Sequence, residues 1–128
     1  MNYYFSKTLN RSFDEAVDKV TQSLKAEGFG VLTEIDVKST MKNKLDVDFR
    51  NYKILGACNP PLAYEALQSE RMIGAMLPCN VVVQETEDGR VEVAAVDPAA
   101  SMQAVKNEKL AGTALQVQTK LKNVIDSL

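Results

Sequence analysis

The sequence predicts an α+β fold, a largely antiparallel sheet of about five strands with helices packed on one face, in the order β-α-β-β-α-β-β-α. Three observations carry this expectation. A capped, periodic helix lies between two strand-like segments near the start. Two valine-rich runs flank Glu87-Asp88-Gly89, as in a tight hairpin, and the closing stretch repeats apolar residues at helical spacing. At 128 residues the chain fits one domain, residues 1–128, large enough to bury roughly two-thirds of the surface its unfolded form exposes.

Asn2 to Thr8 alternates aromatic and β-favouring residues and reads as a first strand. Ser12 and Glu15 then form a capping box: the serine accepts from the third helical N–H and the glutamate reaches back to the cap. Phe13, Val17, Val20 and Leu24 follow at helical spacing, and Gly28 suits a left-handed C-terminal residue, so the helix spans about Phe13 to Glu27. Phe29, Val31, Thr33, Ile35 and Val37 fall on alternate positions, the period of a half-buried second strand. Ser39 to Leu45 reads as a short structural helix or turn.

Tyr52 to Cys58 is the third strand, with Ile54 and Leu55 adjacent and so expected to be covered on both faces. Asn59 has the character of an N-cap and Pro60 of a first helical residue, because proline lacks an N–H that has no partner there. Ala63, Ala66, Leu67, Ile73 and Leu77 keep a helical stripe, open to interruption at Gly74, and Pro78 ends it. Asn80 to Gln84 and Val91 to Val96 make the hairpin, and Asp97-Pro98 repeats the cap-then-proline pattern. From about Asn107 to Leu128, Leu110, Ala114, Val117, Leu121, Val124 and Leu128 form a stripe suited to a core helix laid across the sheet.

Composition narrows the function classes. Fifteen basic residues against seventeen acidic ones, with the basic ones scattered, leave no footprint for nucleic acid or anionic lipid. The start lacks the pattern of a signal peptide, and no apolar run approaches the ~20 residues of a membrane span. The expectation is a cytoplasmic protein with no membrane partner, whose two cysteines are thiols. Histidine is absent, which removes the commonest general base and metal ligand.

The candidate site gathers around Cys58, Asn59, Pro60, Cys79 and Asn80. If the third and fourth strands run antiparallel, the end of one and the start of the next share a sheet edge and the cysteines are neighbours. A parallel crossover would separate them by roughly 17 Å for a five-residue strand. Cys58 precedes a helix N-terminus, where the dipole favours a thiolate. The plainer reading makes both cysteines small buried hydrophobes and both asparagines local backbone caps. Met72, Met76 and Met102 extend the sulfur set toward a copper(I) site on one reading and are core filler on the other. Glu34, Asp36, Asp46 and Asp48 alternate as exposed strand residues do.

Gly56 to Pro61 (G-A-C-N-P-P), Leu77 to Val83 (L-P-C-N-V-V-V) and Val96 to Pro98 (V-D-P) together resemble the DUF302 family, a domain of unknown function, over essentially the whole chain. The resemblance implies a compact α+β fold similar to the TATA-binding-protein architecture, with the Pro60 helix inserted between antiparallel strands. It also implies a homodimer, and its pattern rests on Asn59, Pro60, Pro78 and Asp97. It brings no established activity, and no DNA-binding function follows from the fold likeness.

The residues thus support a non-catalytic small-ligand or anion-binding domain at the Asn59-Pro60 helix N-terminus, using Cys58, Cys79 and Asn80, with the cofactor unknown. One alternative is a thiol-dependent redox or sulfur-handling protein, with Cys58 as activated thiol and Cys79 as resolving partner. The other is an interaction module whose helices form a homodimer.

Overall fold

The computed structural model describes residues 2–128. Five strands form one sheet, β1 (Tyr4–Leu9), β2 (Gly30–Asp36), β3 (Tyr52–Cys58), β4 (Cys79–Glu85) and β5 (Val91–Val96). Their spatial order is β1-β5-β4-β3-β2, and every neighbouring pair is antiparallel. Five α-helices accompany them: α1 (Phe13–Ala26), α2 (Val37–Leu45), α3 (Pro60–Ser69), α4 (Pro98–Ser101) and α5 (Lys109–Asp126). A 3-10 helix covers Arg71–Met76.

Side chains alternate across a strand, so one set of residues faces the helices. Leu55 on β3, Val81 and Val83 on β4, and Val91, Val93 and Ala95 on β5 are all fully buried. They pack with Ala16, Val20 and Leu24 of α1 and with Leu121, Val124 and Ile125 of α5 in one core. The long apolar stripe of α5 is therefore spent inside the molecule. The opposite face of the sheet stays open, with Ile35, Ile54, Val82 and Ala94 forming a cross-strand row that is half-buried or exposed.

Local chemistry accounts for the helix ends. Ser12 Oγ accepts from the Glu15 N–H at 3.2 Å and donates to Glu15 Oε1 at 2.9 Å, so the glutamate grips the serine hydroxyl rather than the cap N–H. At the other end of α1, Gly28 adopts φ +86°. The N–H groups of Gly28 and Phe29 donate to the carbonyls of Lys25 and Leu24, closing a Schellman motif. Leu77 is extended and its bond to Pro78 is cis.

Two expectations need correction. β2 is an edge strand with a register shift between Val31 and Thr33, and most of it is exposed rather than half-buried, Leu32 at 68 % and Ile35 at 49 %. A strand with one neighbour and little cover keeps its alternation without burying it. The helix after Pro60 also stops earlier than its stripe suggests. Glu70 is extended, and Asn107 Nδ2 donates to the Ser69 carbonyl at 2.8 Å and to Glu70 Oε1 at 3.1 Å, taking up the chain end that another turn would use.

Candidate functional site

β3 and β4 are antiparallel, with Ala57 opposite Cys79. That register brings the end of one strand beside the start of the next, and α3 leaves the sheet at the same edge. A cavity of about 300 Å³ opens there between the sheet and helices α3, α4 and α5. Its sheet wall includes Ala57, Cys58 and Cys79. Leu62 and Ala66 of α3, and Leu110, Ala114 and Val117 of α5, supply most of the helical wall.

Cys58, Asn59 and Cys79 all line this space, whereas Asn80 does not. It points to the open face of the sheet and lines a shallow concavity there with Tyr4, Tyr52 and Val82. The physical reason is the pleat: Cys79 is buried on the helix-covered face of β4, and its neighbour Asn80 is turned to the exposed face, whereas Cys58 reaches the cavity because it lies at the very end of β3. Pro60 is exposed and is not among the lining residues; its role is to start α3.

Asn59 is 8 % exposed, and both of its polar atoms are engaged with local structure. Its Oδ1 accepts from the Leu62 N–H at 3.4 Å, and its Nδ2 donates to the Glu27 carbonyl at 3.3 Å. The helix end offers an anion little. Pro60 and Pro61 have no N–H, the third N–H is taken by Asn59 Oδ1, and the fourth, on Ala63, donates to the Asn59 carbonyl. The four donors that make a helix N-terminus an anion site are absent or already engaged. That consequence of P-P was readable in the sequence.

Both cysteines are free thiols, Cys79 buried and Cys58 half-buried. Burial pushes the Cys79 thiol up to about 11, with the neighbouring Cys58 adding to the shift, so Cys79 stays protonated at neutral pH. Met102 joins the cavity wall, but Met72 and Met76 are exposed, at 70 % and 39 %, and do not line it. Among the described residues, no three His, Cys, Asp or Glu side chains gather in a way that would hold a metal.

The four alternating carboxylates have local partners. Glu34 pairs with Lys53 at 2.7 Å, raising the lysine's affinity for its proton, and Asp36 caps α2 through the Ser39 N–H at 3.0 Å. Asp46 and Asp48 share Lys42 at 3.0 and 3.7 Å on the surface.

Asp97 shapes the cavity from outside it. Buried at 7 % exposure, it caps α4 by accepting from the Ala99 N–H at 3.0 Å and takes a second bond from Gln118 Nε2 of α5, also at 3.0 Å. This holds α4 against α5 and brings Pro98 and Met102 into the wall. The sequence reading missed Thr113, which lines the cavity at 6 % exposure. The available signal was its place in the α5 stripe, three residues after Leu110 and next to Ala114.

An open antiparallel sheet, covered by helices on one side and enclosing an apolar cavity at the β3–α3 joint, defines an α+β domain. Within that class, the chain belongs to the DUF302 family, domain of unknown function DUF302, whose model matches residues 5–128. It is similar to a crystal structure described as uncharacterized conserved protein DUF302 from Bacillus stearothermophilus, with a TM-score of 0.91 and 26 % identity over 98 % of each chain. No curated protein matches it. No helix among the described residues is long and apolar enough to cross a membrane.

Proposed function

We propose that this domain binds a small, predominantly apolar molecule in the cavity between β3, β4 and helices α3 to α5. The observation that carries the reading is the character of the wall: mostly aliphatic side chains, two cysteine sulfurs and a thioether around about 300 Å³ of space. Transfer of apolar surface from water into such a site is favourable without any charged contact. The same wall disfavours an anion, as do the two prolines at the helix start.

The thiol-dependent alternative is weaker, because a thiolate is the reactive form and burial holds Cys79 in the neutral one. Toluene tests the binding reading. At several times its Kd it raises the melting temperature by about 3 °C, as binding to the native state alone requires. An unchanged melting temperature up to the solubility limit counts against the reading.

A second reading, a homodimer, is favoured by the open face of the sheet rather than by the helices. The apolar row Ile35, Ile54, Val82 and Ala94 is flanked by a polar row in which Arg50 donates to Gln84 Oε1 and Gln84 Nε2 donates to Glu92 Oε1. Opposite charges thus stand on either side of Gln84. A two-fold axis along β4 would set each Arg50 against the partner's Glu92, the self-complementarity an isologous interface needs. Light scattering at micromolar concentration tests it, with a dimer mass expected and a monomer mass contrary.

A further inference from the structure

Among the described residues, Thr113 is the buried polar side chain of this cavity that makes no hydrogen bond within the protein. The other two strongly buried polar side chains, Asn59 and Asp97, each hold two partners. Threonines in helices ordinarily return their hydroxyl to the carbonyl four residues earlier. Thr21, Thr40 and Thr119 all do so, at 2.9, 2.8 and 3.0 Å. Thr113, the fifth residue of α5 and 6 % exposed, makes no such bond.

No fully enclosed side-chain nitrogen or oxygen among the described residues lacks a partner, so the Thr113 hydroxyl keeps some accessible surface. Thr113 belongs to the cavity wall, between Leu110 and Ala114 on one side and Val117 on the other. A hydroxyl so nearly buried is rarely left without a partner, and this one has only its remaining accessible surface through which to meet one. Valine, of the same shape, would make the wall wholly apolar there.

We infer that the ligand of this cavity has a hydrocarbon body and one hydrogen-bond acceptor, a carbonyl or ether oxygen, which takes the Thr113 hydroxyl. The inference rests on the apolar-cavity reading and narrows it. The chemistry follows from the wall. The two thiols are weak donors, and Asn59 is committed to the Leu62 N–H and the Glu27 carbonyl. Thr113 is then the wall hydroxyl with no protein partner, placed to fix the orientation of a guest that the aliphatic wall holds only by its shape.

The test compares ethylbenzene with acetophenone, which differ chiefly in the carbonyl, by NMR titration of the whole chain and of Thr113→Val. The wild type binds both. Thr113→Val weakens acetophenone about 2- to 10-fold, the range a net hydrogen bond supplies, and leaves ethylbenzene unchanged within about 2-fold. Thr113→Ser and Thr113→Ala form a second pair that differs only in the hydroxyl, so the comparison does not depend on the folding of the valine variant. Serine keeps the acetophenone affinity and alanine loses it. If both ligands bind and the hydroxyl matters equally to both or to neither, the inference is overturned and the cavity reading stands. If neither binds the wild type, the cavity reading falls and takes the inference with it.

Discussion

The side-chain amide of Asn59 lies against Gly28, so closely that a Cβ at position 28 would stand 3.0 Å from Asn59 Nδ2. The left-handed residue that ends α1 and the residue that starts α3 are thus fitted to each other, and Nδ2 also donates to the carbonyl of Glu27 next to that glycine. The wall of the cavity depends on this joint.

Gly28→Ala therefore meets two penalties, a positive φ and a tight contact, and is expected to cost about 1–2 kcal/mol. Asn59→Ala removes a cap and is expected to cost about 1–2 kcal/mol. The double variant should lose less than the sum, because alanine at 59 removes the atom that the new Cβ meets. Urea denaturation of all four proteins measures this, and strict additivity would show that the two residues act independently.

Cys79 makes stability depend on alkaline pH. Its folded pKa, about 11, lies above the ordinary thiol value, so the stability it confers is complete below about 9 and is lost as pH rises from about 9 through 11. The size is on the order of 2 kcal/mol. Denaturation midpoints across that window should fall more steeply in the wild type than in Cys79→Ala. In thiol labelling of the folded protein at neutral pH, Cys58 should react first and Cys79 only after unfolding.

The turn between β4 and β5 carries an acid-sensitive group. Hydrogen bonds from the Thr86 hydroxyl and then from Arg90 hold the Asp88 carboxyl down to about 2. A depressed carboxylate contributes above its unfolded pKa, and the contribution disappears as pH falls from about 4 to 2. Protection of the Gly89 and Arg90 amides, taken relative to their intrinsic exchange rates at each pH, should fall across that interval in the wild type and show no such step in Asp88→Asn.

Charge reversal tests the open-face dimer. Arg50→Glu or Glu92→Arg alone places like charges together across the proposed two-fold and should shift the mass toward monomer. Combining the two reversals restores opposite pairs and should recover the dimer. Equal masses for all three variants would move the interface elsewhere.

Much of the fold was legible because local signals agreed with the global pattern. Ser12 and Glu15 mark the start of α1, Gly28 its end, and Glu87-Asp88-Gly89 a hairpin whose strands have the expected valines buried. The limits came from what a neighbour does. Alternation in β2 says nothing about whether a sheet edge is covered, and the end of α3 is set by Asn107, thirty-eight residues from Ser69. The proline-marked boundaries point to Cys58, Asn59 and Cys79, which line the cavity, whereas strand parity turns Asn80 to the open face. Thr113 went unseen because a single threonine in an apolar stripe resembles filler until its missing bond is visible.

The central claim is that the cavity at the β3–α3 joint takes an apolar guest, and methyl NMR during a toluene titration tests it most directly. Saturable shifts are expected at Ala57, Ala63 and Ala114, with a Kd on the order of 0.1 to 1 mM, and they should vanish in Ala63→Phe, whose ring fills the space. Shifts that fail to appear at these methyls, or that persist unchanged in Ala63→Phe, would contradict the account.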